Sequence, residues 1–273
     1  KTGDTLNIGD NTLTFIECPM CHWPDTMVPY ADKEQILFSN DVFGQHYASE
    51  SLYDDTVNQR DLFREAEKYY ANILNLYNRN VKRKVDEIVG MNLPLKMIAP
   101  SHGVIWTDHI PDIIAKYQQW DCDYQENQIT IVYDTMWQST RHMAQAIADG
   151  IREQNPDVRV VLMNATHDDK NDIILEIFHS KAVLVGCPTV NMGLTYAIAG
   201  IIELIHGMKF KNKKAAAFSS FGWGGGAEKR ISQKLEEAGL TLAAEPLKVK
   251  WAPDTDAEKM CREWGKAFAA QCE

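Results

Sequence analysis

The sequence predicts an α/β protein whose second half is a doubly wound parallel sheet. From residue 128 onward, short apolar runs alternate with amphipathic stretches, the pattern of strands joined by crossover helices. The stretches that follow those apolar runs hold hydroxyl, glycine and aromatic residues, and a doubly wound sheet binds its ligands at that end of its strands. A polar stretch at 121–127 separates this half from a less regular first half. Two domains are therefore expected, 1–124 and 125–273, a division that 273 residues comfortably support.

In the second half the expected strands are 129–133, 158–163, 182–186 and 215–218, with a weaker one at 247–251. Helical patterns lie between them at 140–154, 169–179, 196–206 and 228–238, and 256–270 closes the chain. Gly239 stands where a helix C-cap glycine belongs. The first half opens on a hairpin, Thr5 to Ile16, turning at Gly9-Asp10-Asn11. Further strands are expected at 36–39 and 96–99, one long helix over 61–89, and another over 110–120. The chain does not begin with Met, and a hairpin at its first residues needs a sheet to join, so a longer protein is expected.

A net charge of −10 argues against nucleic acid or an anionic membrane as partner. No apolar run approaches the roughly 18 residues that span a bilayer, and Lys1-Thr2-Gly3-Asp4 opens no signal peptide. Cys18, Cys21, Cys122, Cys187, Cys261 and Cys272 are scattered over a chain able to bury a core without staples. They read as reduced thiols of a cytoplasmic protein. Cys18-Pro19-Met20-Cys21 has CxxC spacing, but no second pair and no helix starting at Cys18 support zinc or redox chemistry.

The loop after the first strand of the second half is Asp134-Thr135-Met136-Trp137-Gln138-Ser139-Thr140, and it runs straight into a helix. Its hydroxyls, and the backbone N–H groups at the helix's positive end, suit a phosphate without any lysine or arginine. The bland alternative is that Ser139 or Thr140 only caps the helix. The glycine-rich dinucleotide fingerprint is absent. The next loops are Pro188-Thr189-Val190-Asn191 and Ser220-Phe221-Gly222-Trp223-Gly224-Gly225. Trp137, Phe221 and Trp223 offer faces for a planar ring system, and the glycines admit close backbone approach.

The first half has its own chemistry in Cys21-His22-Trp23-Pro24-Asp25, Ser39-Asn40-Asp41-Val42-Phe43-Gly44-Gln45-His46 and Pro100-Ser101-His102-Gly103. Each possible ligand closely follows a strand-like stretch, so the three could converge at one sheet edge. His and Asp suit zinc or non-haem iron, although a lone His or Asp is more often structural.

Together these segments resemble the flavodiiron proteins over essentially the whole chain. The three loops of the second half are similar to that family's FMN loops, and the Phe-Gly-Trp-Gly form is closer to it than to plain flavodoxins. The resemblance implies a flavodoxin-like sheet preceded by the C-terminal half of a metallo-β-lactamase-like αββα domain. It implies FMN held by Thr135, Met136, Trp137, Gln138, Ser139, Thr140, Pro188, Thr189, Val190, Asn191, Ser220, Phe221, Gly222, Trp223, Gly224 and Gly225. His22 and His102 would be ligands of separate irons in a diiron site, with Asp41 bridging them. His46, His109, His142, His167, His179 and His206 match no ligand position and are read as structural or solvated.

The implied function is an oxidoreductase that passes electrons from a rubredoxin-like donor through FMN to iron, reducing O2 to water or NO to N2O. A head-to-tail homodimer is implied, with one subunit's flavin facing the other's irons. One departure bears on this: the family's earlier His-x-Glu-x-Asp motif does not occur in the sequence, nor do the paired CxxC motifs of a rubredoxin. The alternative is an FMN electron carrier with a metal-free first half. A metallo-hydrolase is the third reading, and a flavin has no use in hydrolysis.

Overall fold

A computed structural model describes residues 1–120 and 124–272. Residues 121–123 of the expected junction, Cys122 among them, and residue 273 lie outside the described residues. The chain divides into two compact units, Lys1–Tyr124 and Gln125–Glu273.

The first unit holds a five-stranded sheet in the order β1 (Thr5–Asn7), β2 (Thr12–Glu17), β3 (Met27–Ala31), β4 (Ile36–Asn40), β5 (Met97–Pro100). Neighbours are antiparallel as far as β4, and β5 runs parallel to β4. Strands β2, β4 and β5 therefore point the same way and end at one edge. Strand β3 is absent from the sequence expectation because Pro29 interrupts its apolar run. Pro29 pairs opposite Phe15 on β2, while pairing with β4 involves only Tyr30 and Ala31. The missing N–H thus falls where one ladder has already ended.

The helix expected over 61–89 is not continuous. It forms as α1 (Gln59–Tyr69), a π-helical turn Tyr70–Leu74, a 3₁₀ turn Asn75–Tyr77 and α2 (Asn78–Gly90). The wide turn shifts the helical phase, and Tyr69, Tyr70, Ala71 and Leu74 are all buried around it. Helix α3 (Ile110–Gln119) is prepared by buried Asp54, whose carboxylate accepts from Thr107 N at 2.8 Å, Thr107 Oγ1 at 2.7 Å and His109 N at 2.9 Å. Burial alone would raise the pKa of Asp54, but these donors outweigh it and hold the carboxyl below its ordinary value.

The second unit runs β6 (Glu126–Tyr133), α4 (Ser139–Gln154), β7 (Arg159–Asn164), α5 (Lys170–His179), β8 (Ser180–Pro188), α6 (Tyr196–Met208) and β9 (Lys214–Phe221). It ends with α7 (Ala227–Glu237), β10 (Thr241–Leu242), β11 (Leu247–Lys250) and α8 (Thr255–Ala270). All its strands are parallel, in the order β7-β6-β8-β9, with β10 and β11 both on β9. The short β10, not expected from the sequence, pairs with Lys214 and Ala215, while β11 pairs with Phe218 to Phe221. They are two pieces of one edge strand. The order reverses between β6 and β8, the switch point where such a sheet opens a crevice.

Ile131, Leu184 and Phe218 form the centre of a core closed by Met143, Ile147 and Phe268. Helices α4 and α8 approach very closely. A Cβ at Gly150 would lie 2.0 Å from the Arg262 carbonyl oxygen, and one at Gly265 2.3 Å from that of Ile147. At the opposite end of the sheet from the crevice, Lys213 is buried, and its Nζ donates to the carbonyls of Phe178 at 2.9 Å and Ser180 at 2.6 Å. Burial pulls its pKa down to about 7. Among the described residues no helix is long and apolar enough to cross a membrane.

Candidate functional site

The crevice of the second unit is a cleft of about 590 Å³. The loop after β6 contributes Thr135, Met136, Trp137 and Ser139, and the loop after β8 contributes Pro188, Thr189, Val190 and Asn191. Ser220, Phe221, Gly222 and Trp223 follow from the end of β9. Of the sixteen residues expected in these loops, Gln138, Thr140, Gly224 and Gly225 do not line it.

Each of those four has another place. Gln138 is the N-cap residue of α4, in the left-handed region at φ +69°, and its side chain does not cap the helix. Ser139 and Thr140 do not cap it either, so the N–H groups of the first turn stay open toward the loop. Buried Thr140 instead shares a 2.8 Å hydrogen bond with Ser220 Oγ. Gly224 lies against Met192, and Gly225 against the Phe221 ring.

The loops brace one another. Thr189 N donates to Ser220 O at 2.9 Å, and Ala227 N donates to Thr189 Oγ1 at 3.4 Å. Buried Glu228 accepts from Ser219 Oγ at 2.9 Å and Gly226 N at 3.1 Å, which fixes the glycine-rich stretch. Val190 and Gly193 exchange backbone hydrogen bonds around Asn191 and Met192, both at positive φ as in a tight hairpin turn. Thr135 Oγ1 is buried and has no hydrogen-bond partner. An unpartnered hydroxyl beside an uncapped helix start is the arrangement that an anionic ligand group would complete.

A fourth loop, after β11, adds Trp251 and Ala252 to the cleft. The sequence pattern places Trp251 at the end of a weak strand. It lies just beyond β11, at φ +61°, with its N–H donating to Phe221 O at 2.7 Å and its ring against Gly222. The Trp223 and Trp251 ring centroids are 6.4 Å apart. Trp223 is 91% exposed and Trp137 86%, so two broad aromatic faces stand at the cleft without any packing role in the core.

In the first unit, the shared edge of β2, β4 and β5 brings His22, Asp41 and His102 together. Asn40 pairs with Pro100 across the parallel strands, which places Asp41 beside His102. His22 Nε2 lies 3.6 Å from Asp41 Oδ2, and His102 Nε2 lies 3.4 Å from Asp41 Oδ1. One buried carboxylate thus presents one oxygen to each imidazole. That donor set suits a pair of first-row metal ions with a bridging carboxylate.

Surrounding groups hold these side chains. Gly103, at φ +84°, lets the chain turn beneath Gln45; a Cβ there would fall 1.5 Å from Gln45 Oε1. Buried Gln45 accepts from Val104 N at 2.8 Å, donates to Val104 O at 3.0 Å, and its own N–H donates to His102 O at 3.2 Å. Phe43 sits at φ +68°, held by Trp106 Nε1 on its carbonyl and Tyr117 Oη on its N–H, both at 2.8 Å. Tyr69 Oη donates to Asp41 Oδ1 at 3.3 Å, and burial followed by the Asp41 charge pushes the phenol pKa up.

His46, expected to be structural or solvated, lies beside this cluster. Its ring lies 5.5 Å from that of His102 and 4.8 Å, edge-on, from that of Tyr69. Burial and then His102 lower its pKa, against the influence of Glu65. Within the same unit, His109 pairs with Asp112 at 2.9 Å. Cys18 and Cys21 are both fully buried and close a turn, Cys21 N to Cys18 O at 3.2 Å, directly before His22.

Comparison with known proteins covers both units. Residues 131–265 match the flavodoxin family and residues 1–103 the ODP family beta lactamase. The chain is 50% identical over 272 residues to the anaerobic nitric oxide reductase flavorubredoxin of Klebsiella pneumoniae, covering 99% of this chain and 56% of that protein. The chain thus spans little more than half the length of this curated relative. Among solved structures it is similar to rubredoxin oxygen:oxidoreductase from the anaerobe Desulfovibrio gigas, with TM-score 0.93 and 35% identity, over 100% of this chain and 68% of that one. It is likewise similar to the flavodiiron protein from Giardia intestinalis, with TM-score 0.90 and 31% identity, over 100% of this chain and 68% of that one.

Proposed function

The chain belongs to the flavodiiron protein family, and we propose that it is the FMN-binding and iron-liganding part of an oxidoreductase that reduces NO to N2O or O2 to water. The observation that carries this reading is the Asp41 carboxylate, one oxygen toward His22 and the other toward His102, in a chain that also builds the four-loop cleft. An electron carrier needs only the cleft.

FMN fits the cleft. Its phosphate would take the open N–H groups of α4 and the Thr135 hydroxyl, and its ring system would lie among Trp137, Phe221, Trp223 and Trp251. Bound there, FMN accepts electrons singly and stores two. The Ser220–Thr140 link and Glu228 hold the loops in place beforehand, which lowers the ordering cost of binding.

In the first unit His22 and His102 would each bind one iron through Nε2 while Asp41 bridges, and the metals would supply the centre at which NO or O2 is reduced. Tyr69 and Gln45 orient Asp41 and His102, as hydrogen-bonded neighbours do for metal ligands generally. Three protein ligands do not complete a diiron centre, so the reading requires further ligands from polypeptide beyond this sequence. A rubredoxin-like donor and a head-to-tail homodimer complete the proposal. The names of the Klebsiella and Desulfovibrio proteins support the donor and both candidate substrates.

The test is iron and FMN per chain, measured together by elemental analysis and flavin absorbance on protein that includes the polypeptide supplying the remaining ligands. Two irons and one FMN per chain support the enzyme. One FMN without iron would leave an electron carrier, and neither would remove the reading altogether.

A further inference from the structure

Directly before His22, the first unit holds two thiols that the iron reading does not use. Cys18 and Cys21 are fully buried and free of any disulfide, and their thiols are close enough to interact directly. The turn between them explains that closeness. Cys21 N donates to Cys18 O at 3.2 Å, Pro19 follows Cys18, and Met20 sits at φ +64°, as in a type II turn. Such a turn brings its first and fourth Cα atoms within about 7 Å, and a disulfide spans about 4.4–6.8 Å. No helix starts at Cys18 to support redox chemistry, and the fold supplies a turn in its place.

Two buried cysteines often serve merely as small apolar side chains. Three observations set this pair apart. Buried Lys84 of α2, ion-paired with Glu87 at 2.8 Å, acts electrostatically on both sulfurs, which an apolar filler does not need. The cover over the thiols is thin, since Pro19 is exposed and Met20 only half-buried. Among the described residues the pair belongs to no group of three metal-ligating side chains, which makes it a dithiol and not a metal site.

The turn is tied to His22. Cys18 N donates to Thr26 O at 2.9 Å, Met20 N to Trp23 O at 2.7 Å and Trp23 N to Thr26 Oγ1 at 3.2 Å, so residues 18–26 form one braced loop. We propose that hydrogen peroxide converts Cys18 and Cys21 reversibly into a disulfide, and that this draws His22 away from the position in which it binds iron. This rests on the reading of His22 as an iron ligand. One sulfur attacks the peroxide, breaks its O–O bond and becomes a sulfenic acid, with release of water. The other sulfur displaces the sulfenic hydroxyl, which leaves as a second water, and the S–S bond forms. The two sulfurs lose two electrons, the peroxide gains them, and both thiol protons end on water. Non-bonded sulfurs must close to about 2.05 Å to make that bond. Cys21 adjoins His22, and metal–ligand distances tolerate only about 0.2 Å of change.

The experiment uses the iron-loaded protein, with the polypeptide that supplies the remaining ligands, treated with stoichiometric hydrogen peroxide. Peptide mapping without reductant is expected to show the peptide bearing both cysteines lighter by two hydrogens, and dithiothreitol to restore it. In the oxidised protein, iron transfer to a chelator is expected to run at least about tenfold faster. Cys18→Ser and Cys21→Ser are each expected to keep iron release at its untreated rate after peroxide. Should either variant fail to fold, the oxidised wild type before and after dithiothreitol gives the same comparison. Thiols that stay reduced, or that pass to sulfinic acid without a disulfide, overturn the proposal. So does a disulfide that leaves iron release unchanged, and so does peroxide-driven release in the serine variants equal to that of the wild type. Absence of iron before treatment would instead defeat the iron reading itself, while the peptide mass still decides whether the disulfide forms.

Discussion

Thr140 Oγ1 and Ser220 Oγ lie 2.8 Å apart and buried, although eighty residues separate them in sequence. One lies in the first turn of the helix after β6 and the other near the end of β9, so this hydroxyl pair joins the α4 side of the cleft to the side that carries Phe221 and Trp223. Thr140→Val keeps the shape and leaves Ser220 without that partner, at a cost of about 1–3 kcal/mol. FMN affinity in a fluorescence titration is expected to fall roughly tenfold, and Thr140→Ser to retain it. Equal affinity in both variants would show that the loops do not depend on this link.

Trp223 contributes almost nothing to the folded core. Trp223→Ala should therefore change unfolding free energy by less than about 0.5 kcal/mol. Loss of its aromatic face should weaken FMN binding by about 1 kcal/mol and brighten the residual flavin fluorescence. A variant that unfolds early in urea while binding FMN normally would reverse this assignment.

Asp41 faces both histidines, so Asp41→Asn removes the bridging charge from each prospective iron site at once. With the partner polypeptide or full-length protein that supplies the remaining ligands, iron content is expected to drop to background while FMN content stays at the wild-type level. Undiminished iron would exclude Asp41 as the bridge.

Lys213 links stability to pH. Its pKa is about 7 in the fold against 10.5 for a free lysine, so between these limits the unfolded chain binds the extra proton. Stability owed to this group accordingly rises as pH increases through that window, and is lowest below pH 7. Relative to Lys213→Met, which cannot titrate, the wild type should gain up to about 2 kcal/mol between pH 7 and 9 in urea unfolding. A difference that stays constant across that range would mean that Lys213 is not held neutral.

Much of this protein was legible before any coordinates. The alternation of apolar runs and amphipathic helices set the parallel sheet, because burial on both faces demands continuous apolar strands. The chemistry of the loops after those strands pointed to the cleft, because the carboxyl ends of parallel strands are where backbone N–H groups and helix starts gather.

What the sequence left undecided depended on contacts between distant segments. Strand β3 was hidden by Pro29, which is tolerated only because its second ladder stops at Tyr30. Trp251 looked like the end of a strand until its pairing with Phe221 turned it into the cleft. Thr140 reads as a phosphate ligand or a cap from the sequence, and only the fold brings its hydroxyl to Ser220. Residue types and local spacing determined the fold class and which chemistries were present. Only tertiary structure decided which groups meet, because a hydrogen bond such as Thr140–Ser220, or the approach of His22 and His102 to Asp41, follows from strand order and leaves no periodicity in the chain.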